Sequence, residues 1–177
     1  MNRILIPLDG SEFSTQIIAG VKKFFPAGAC ELVLYHVGAR TDGHTGLPPR
    51  PAAPVVDVPM YESDKDAEFA QHPIYESQED DTRVAAWRDE LSPLAQALQG
   101  LGYSVKVEAD LGHAADAIIE RTRANDIDLI AMTTHGRSGI TRLLFGSVAE
   151  QVVRHTAVPV LLIRPTPPPQ EELAPDA

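Results

Sequence analysis

The stretch DLIAMTTHGRSGITRLLFGSVAEQVV, Asp128 to Val153, decides which fold this chain adopts. Its first part, Leu129 to Met132, is a short apolar run of the kind that forms a buried parallel strand. A glycine-bearing loop follows, and Gly146-Ser147 then precedes apolar residues at helical spacing. The order predicts a strand, a loop and a helix.

The predicted helix begins near Ser147. Ser147 and Glu150 fit the capping-box spacing, and the periodicity places Val148, Val152 and Val153 on the inner side. A helix N-terminus carries unpaired N–H groups and a partial positive charge, so it favours an anion. Phosphate is the natural candidate.

Three glycines lie in or beside the loop. Gly136, Gly139 and Gly146 lack a Cβ atom, so backbone can approach a ligand closely there. Glycines in such connections often do no more than turn the chain. The loop alone supports a ligand-binding role and a simple chain turn equally. His135 and Arg137 either donate to phosphate or face solvent.

Composition limits the class of protein. With 177 residues, 44% of them hydrophobic, the chain predicts one domain, which we place at residues 1–165. A net charge of −10 disfavours nucleic acid and anionic membrane as partners. The absence of a signal-peptide pattern and of any run of about 20 apolar residues predicts a cytoplasmic location. Cys30 is the single cysteine, and it is more commonly interpreted as a buried core residue than as a reactive thiol.

Strand-like and helical patterns alternate along the chain. The five predicted strands are Ile4 to Leu8, Leu32 to Val37, the segment around Val105 and Val107, Leu129 to Met132, and Val158 to Ile163. Helical spacing follows Ser11, resumes at Val84 and again after Gly112, and starts once more at Ser147. Such alternation predicts a doubly wound parallel sheet.

Several local features refine this pattern. In the helix predicted between the third and fourth strands, Ala115, Ile118 and Ile119 are expected to face inward. Pro93 falls inside a helical pattern, so a kink or a restart at Ser92 is expected.

Two segments differ in composition from the rest. Residues 38–82 are rich in proline and acids, and we expect an insertion there that forms a mobile flap. An independently ordered element is the alternative. The tail, residues 166–177, holds consecutive prolines and acids and is predicted to be disordered.

The spacing of Gly136 and Gly146-Ser147 resembles the second half of the G-x2-G-x9-G-(S/T) signature of the nucleotide-binding branch of the universal stress protein family. The sequence HGRSG…GSVAEQVVRH…VPVLLI is similar to that family over nearly thirty residues. The first glycine of the signature falls at Thr133, which is a departure. The resemblance implies a Rossmann-like, five-stranded parallel sheet of order 3-2-1-4-5 with helices on both faces. A ligand would then bind beside the carboxyl ends of the first and fourth strands.

The resemblance also implies a set of nucleotide-binding residues. They are Pro7, Leu8, Asp9, Val37, Met132, Thr133, Gly136, Gly139, Gly146, Ser147 and Val148. Asp9 would contact the ribose or help hold a divalent metal such as Mg²⁺ beside the phosphates, while a turn or N-cap aspartate is the alternative. For the apolar members the alternative is plain strand core. The histidines show no i, i+4 pair on a predicted helix, which argues against a structural metal site.

The leading functional hypothesis is an ATP-binding or other adenine-nucleotide-binding stress regulator, with hydrolysis slow at most. The sequence shows only fragments of the set that efficient phosphoryl transfer needs. A universal stress protein that binds no nucleotide and works as an interaction module is the alternative, and Thr133 is its best support. An adenylating enzyme is a third, weaker hypothesis because no serine-glycine pyrophosphate loop follows the first strand. A homodimer through Val158 to Ile163 is expected, since an apolar edge strand invites pairing.

Overall fold

The computed structural model describes residues 2–39, 74–123, 126–134 and 146–166 of the chain. Within these ranges, strands and helices alternate. In chain order the elements are β1 (Asn2–Pro7), α1 (Glu12–Thr15), α2 (Ile17–Phe24), β2 (Cys30–Gly38), α3 (Ile74–Gly100), β3 (Ser104–Leu111), α4 (Ala114–Arg123), β4 (Leu129–Thr133), α5 (Ser147–His155) and β5 (Val160–Ile163).

The five strands form one parallel sheet of order β3-β2-β1-β4-β5. Strand β1 pairs with β2 from Asn2 opposite Cys30 to Pro7 opposite Tyr35, and it pairs with β4 on its other side. The predicted fold class and strand order are therefore confirmed. The winding reverses between β1 and β4, which leaves a crevice at their carboxyl ends.

Each face of the sheet is covered by its own helices. On one face, Ile4, Ile6 and the apolar sides of α2 and α3 form one buried cluster. On the other face, Leu5, Ile130 and the inner sides of α4 and α5 form a second. Neighbouring β1 residues belong to opposite clusters because successive side chains of a strand point to opposite faces.

The buried side chains of α4 match the sequence prediction. Ala115, Ile118 and Ile119 are 1%, 2% and 8% exposed. Cys30 is also buried, and burial raises the pKa of its thiol. The thiol therefore stays protonated at neutral pH and contributes to the core, as the sequence indicates. None of the helices in the described part of the chain combines the length and apolar character that crossing a bilayer requires.

The first helical segment is divided in two at Gln16, where the sequence predicts one helix. Gln16 is the C-cap of α1, and α2 begins at the next residue. The Gln16 side chain forms two hydrogen bonds with the main chain of Thr166. Its Nε2 donates to the Thr166 carbonyl oxygen at 2.9 Å, and its Oε1 accepts from the Thr166 N–H at 2.8 Å. This amide fixes the point where the chain leaves β5.

Helix α3 begins earlier than the sequence predicts. It starts at Ile74 rather than Val84, so residues 74–82 of the expected insertion are helical. The physical reason is that no proline or glycine occurs between residues 74 and 92 to interrupt a helix. Residues 40–73 lie outside the described residues, and the expected flap falls on them. The tail beyond Thr166 lies outside them as well.

The expected restart at Ser92 is wrong, because α3 runs through Pro93 to Gly100 as one helix. A proline there removes one N–H from the helical ladder. Ser92 Oγ donates to the Arg88 carbonyl oxygen at 3.0 Å, which supplies a local hydrogen bond one residue before the proline. The core side of the helix continues past this point with Leu98, which is 2% exposed.

A network of ion pairs ties α4 to three strands. Arg121 of α4 donates to Glu108 of β3 at 2.7 Å and to Asp126, just before β4, at 2.5 Å. Asp126 also accepts from Arg3 of β1, and Arg3 pairs with Glu31 of β2. Arg121 and Glu108 are only 15% and 17% exposed in their side chains, so solvent screens this pair less than an ordinary surface pair.

The carboxyl groups of this network have shifted pKa values. Burial raises the pKa of Glu108, but hydrogen bonds from Arg121 and Lys106 outweigh it, so the net pKa is lowered. The hydrogen bond from Arg121 lowers the pKa of Asp126, with Arg3 adding to the effect. A carboxyl group whose folded pKa is depressed stabilises the fold above its unfolded pKa and loses that contribution as pH falls through the folded value.

We expect Arg121→Met to lower the free energy of unfolding by about 2 kcal/mol near pH 7, because Glu108 and Asp126 each lose one of their two cationic partners. The difference from wild type should shrink as pH falls below the ordinary Glu and Asp values of 4.5 and 3.8. Urea unfolding at a series of pH values measures both effects.

Arg123→Met is the matched control on the same helix. Arg123 pairs with Glu120, but both side chains are about 70% exposed, so the loss should stay under about 0.5 kcal/mol. Equal destabilisation by the two substitutions, or a loss at Arg121 that does not depend on pH, would contradict the role given to the network.

Candidate functional site

A cavity of about 280 Å³ opens at the carboxyl ends of β1 and β4, where the winding of the sheet reverses. This is the position at which open parallel sheets bind their ligands. Its walls come from the ends of three strands, from α1 and α4, and from the first turn of α5. The cavity is close in size to the smaller ligand pockets of proteins, which begin at about 300 Å³.

Nine of the eleven residues predicted for the site line this one cavity. They are Pro7, Leu8, Asp9, Val37, Met132, Thr133, Gly146, Ser147 and Val148. The other two, Gly136 and Gly139, lie outside the described residues, as do His135 and Arg137. The structure therefore brings together residues that are up to about 140 positions apart in the chain, while their contacts with a ligand stay predictions.

The β1 end of the cavity is shaped by Asp9. Its Oδ1 accepts from the Ser11 N–H at 3.0 Å and from Ser11 Oγ at 2.6 Å. Ser11 in turn is the N-cap of α1, since its Oγ accepts from the Ser14 N–H at 3.1 Å. The turn-aspartate alternative is thus observed, and the same carboxylate also lies on the cavity wall.

The β4 end of the cavity is formed by two buried threonines. Thr133 and Thr134 are 7% and 6% exposed. The Thr134 N–H donates to the Ile163 carbonyl oxygen at 2.9 Å, and its own carbonyl oxygen accepts from the Gly146 N–H at 2.6 Å. One residue thus fixes the end of β5 and the start of α5. Thr133 occupies the position where the family signature has its first glycine.

Helix α5 begins one residue away from the predicted cap. Gly146 is the N-cap, with φ −71° and ψ 157° and no side-chain cap hydrogen bond, and Ser147 is the first helical residue. The capping-box prediction for Ser147 and Glu150 is therefore wrong. The reason is that the Glu150 N–H donates to the Gly146 carbonyl oxygen at 2.9 Å, which starts the first turn at the glycine.

The predicted inner face of α5 is also partly wrong. Ala149 and Val152 are 2% and 0% exposed, whereas Val153 is 46% exposed. Residues three apart share a helix face, and adjacent residues such as Val152 and Val153 are turned about 100° from each other. Val148 is half-buried and lines the cavity. The first turn of α5 therefore faces the cavity, as the sequence predicts.

Six further residues line the cavity and are not predicted from the sequence. They are Ser14, Tyr35, Ala114, Ile118, Thr134 and Ala149. Tyr35 had a detectable signal, because it stands two residues before Val37 on the same strand and so points to the same face. Ile118 was predicted to be inward, but nothing in its spacing connects it with the site.

Tyr35 lines the cavity and forms a hydrogen bond with Asp110. Its hydroxyl donates to Asp110 Oδ2 at 2.7 Å, and its side chain is 1% exposed. Burial raises the pKa of Tyr35, and the hydrogen bond to Asp110 raises it further. The phenol is therefore neutral at physiological pH and held in one orientation.

The described lining of the cavity is mostly apolar, with one carboxylate, several hydroxyl groups and the N-terminal turn of α5, whose N–H groups favour an anion. No lysine, arginine, histidine or cysteine belongs to that described lining. Among residues 2–39, 74–123, 126–134 and 146–166, no cluster of three His, Cys, Asp or Glu side chains could hold a metal ion.

Known proteins with similar sequences are universal stress proteins. Universal stress protein Slr1230 from Synechocystis sp. is 40% identical over 74 residues, which cover 42% of this chain and 26% of that protein. Universal stress protein MJ0531 from Methanocaldococcus jannaschii is 38% identical over 64 residues, covering 35% and 38%. The matched segments thus span about a quarter to two fifths of these relatives.

Solved structures share the fold at low sequence identity. A protein described as hypothetical protein MJ0577 has a TM-score of 0.68 at 21% identity, over 94% of this chain and 98% of its own. A universal stress protein in complex with cAMP has a TM-score of 0.56 at 17% identity, over 93% and 98%. An Arabidopsis thaliana family member with AMP bound has a TM-score of 0.55 at 13% identity, over 99% and 97%.

The match to the Universal stress protein family as a whole is longer than the pairwise sequence matches. It extends over residues 1–164, which include all five strands and every described residue of the cavity. The chain therefore belongs to the universal stress protein family.

Proposed function

We propose that this chain binds an adenine nucleotide, with ATP as the first candidate, in the cavity between the ends of β1 and β4. One observation carries the proposal: nine residues that the family resemblance implies for nucleotide binding line a single cavity at the reversal point of the sheet. Two relatives of the same fold are described as bound to cAMP and to AMP. We propose a ligand of the same chemical class here.

The walls of the cavity suit the parts of such a ligand. The apolar side chains of Pro7, Val37 and Met132 offer surface to a planar base. Asp9 offers carboxylate oxygens that can accept from ribose hydroxyl groups. The phosphates would lie at the first turn of α5, where Gly146 presents no side chain and helix N–H groups favour negative charge.

Magnesium would enter with the nucleotide rather than occupy a site of its own. Asp9 is the one carboxylate in the described lining of the cavity, and Ser11 already donates to one of its oxygens. Mg²⁺ needs about six oxygen ligands, and it commonly takes most of them from phosphates and water. In this proposal Asp9 adds one ligand to a metal that the phosphates hold.

We further propose a regulatory role, with slow hydrolysis at most. Rapid phosphoryl transfer needs a placed cation and a positioned nucleophile, and the described lining supplies only Asp9 and hydroxyl groups. Ligand occupancy would then be the signal that a partner reads. The cytoplasmic location stays a prediction of the sequence.

The alternative function is an interaction module that binds no nucleotide. Thr133 favours it, because a threonine side chain stands where the signature has a glycine. Denaturing the purified protein and separating the released small molecules distinguishes the two hypotheses. Release of an adenine nucleotide supports the first, while absence of both release and measurable binding supports the second.

We expect Gly146→Val to abolish measurable nucleotide binding or weaken it at least tenfold, from a wild-type dissociation constant on the order of micromolar. The valine side chain would occupy the space proposed for phosphate. The fold should survive, because φ −71° and ψ 157° lie in the extended region that valine prefers. Calorimetric titration with ATP and with AMP measures the effect.

Gly100→Val is the control, since a Cβ there meets no atom within 4 Å and Gly100 is not among the described residues that line the cavity. It should leave nucleotide affinity unchanged. If a folded Gly146→Val protein binds nucleotide as tightly as wild type, phosphate does not lie at the start of α5.

We also propose a homodimer formed through β5. Strand β5 is one edge of the sheet, it carries the uncharged sequence VLLI, and each of its residues is only half-buried. The opposite edge, β3, carries Lys106, Glu108 and Asp110, and charges of this kind protect an edge from pairing. Two β5 edges can satisfy each other about a twofold axis.

Leu161→Lys and Leu162→Lys should both shift the protein toward monomer, because each places an unpaired charge in the proposed interface. Sedimentation velocity at micromolar concentration measures the state. Leu101→Lys is the matched control, since Leu101 is 54% exposed in the turn before β3. A wild-type protein that sediments as a monomer would refute the dimer.

A further inference from the structure

The carboxyl end of β2 presents different residues to the two faces of the sheet. Tyr35 and Val37 line the cavity. His36, between them, belongs to the other face, where its ring lies against Trp87 of α3. His36 is 6% exposed, and none of the functions described above uses it.

His36 forms a hydrogen bond with a residue of the cavity wall. Its Nδ1 lies 2.9 Å from the Leu8 carbonyl oxygen. A carbonyl oxygen only accepts, so Nδ1 carries the proton and donates. Leu8 lines the cavity, and its N–H donates in turn to the Tyr35 carbonyl oxygen at 2.8 Å. Both main-chain polar groups of Leu8 are thus bound by β2.

The hydrogen bond between His36 and Leu8 lies just beyond the last regular pair of β1 and β2. The last paired residues of β1 and β2 are Pro7 and Tyr35. Beyond Pro7 the chain must turn toward Asp9 and α1, and regular strand pairing no longer fixes its path. The Leu8 N–H still has a main-chain partner in Tyr35, and the His36 side chain binds the Leu8 carbonyl oxygen, one residue before Asp9.

His36 is held in place by a close-packed cluster. The His36 and Trp87 ring centroids are 5.0 Å apart at an interplanar angle of 40°. A Cβ atom on Gly38 would lie 1.8 Å from Trp87 Cη2, so only glycine admits the indole there. Arg83 lies 5.6 Å from the Trp87 ring centroid and donates to the Ala39 carbonyl oxygen at 3.3 Å.

We propose that His36 is a positioning residue for the ligand site. It acts through Leu8, and it fixes the segment from Leu8 to Asp9 against the cavity from the opposite face of the sheet. Trp87 and Gly38 fix the ring of His36. The inference deepens the proposed function and rests on it, because positioning is measured as ligand affinity.

A pair of substitutions separates positioning from general stability. His36→Leu keeps apolar volume but removes the donor to Leu8, and we expect AMP to bind about tenfold more weakly. His36→Asn keeps an N–H donor close to the place of Nδ1, and we expect its affinity to stay within about twofold of wild type. Calorimetric titration with AMP gives the dissociation constants, and circular dichroism confirms folding.

Thr122→Val is the control for loss of a buried polar group. Thr122 is 6% exposed, like His36, and its Oγ1 donates to the Ile119 carbonyl oxygen at 2.7 Å in α4. It does not line the cavity. This substitution should lower thermal stability and leave the AMP dissociation constant unchanged.

Gly38→Ala tests the support behind His36. The added methyl group must displace the Trp87 ring, so we expect weaker AMP binding, by about threefold, and a shifted emission maximum of this single tryptophan. Unchanged emission together with unchanged affinity would show that the cluster does not hold His36.

Failure of this inference differs from failure of the proposed function. If wild type binds AMP and a folded His36→Leu protein binds it equally well, or if the Asn and Leu variants lose affinity equally, the positioning role is overturned. If wild type binds neither AMP nor ATP, the proposed function fails instead. Amide exchange at Leu8 and Ser11 then decides: faster exchange in His36→Leu but not in His36→Asn supports positioning, and equal exchange overturns it.

Discussion

The structure depends on the two-sided pairing of β1. Strand β1 lies between β2 and β4, and the chain continues from β1 to one side of the sheet and from β4 to the other. The helices that follow β1 and β4 therefore pack on opposite faces of the sheet. The carboxyl ends of β1 and β4 are left open at this point. The cavity, the turn at Asp9 and the start of α5 all lie at this gap. The Arg121 network joins α4 to Glu108 of β3 and, through Asp126, to Arg3 at the start of β1.

The sequence predicted the fold well because its signals are local and repeated. Runs such as Leu129 to Met132 are apolar throughout, as strands covered on both faces are. The strand order came from the resemblance to the family, because alternation alone does not specify which strands are neighbours. The site residues near β1, β4 and α5 came from the same resemblance, and all those within the described residues share one cavity.

The errors arose where tertiary contacts or backbone bonds decide between local alternatives. Ser147 fits a capping pattern, but the hydrogen bond accepted by Gly146 starts the helix earlier. Pro93 suggests a break, yet the core packing of α3 continues through it. Tyr35 and Ala114 line the cavity because strands and helices distant in sequence meet there, and no spacing within one segment reveals that.

Mapping of amide chemical shifts during titration with AMP is the decisive measurement, because it reports where a ligand binds as well as whether it binds. If AMP binds in the cavity, the largest shifts should occur at residues 8–9, 37 and 132–134 and at the start of α5. The same titration covers the polar groove between α4 and α5, lined by residues such as Glu120 and His155, where shifts should be small. Largest shifts in that groove, or no shifts at millimolar AMP and ATP, would show that the cavity between β1 and β4 is not the nucleotide site.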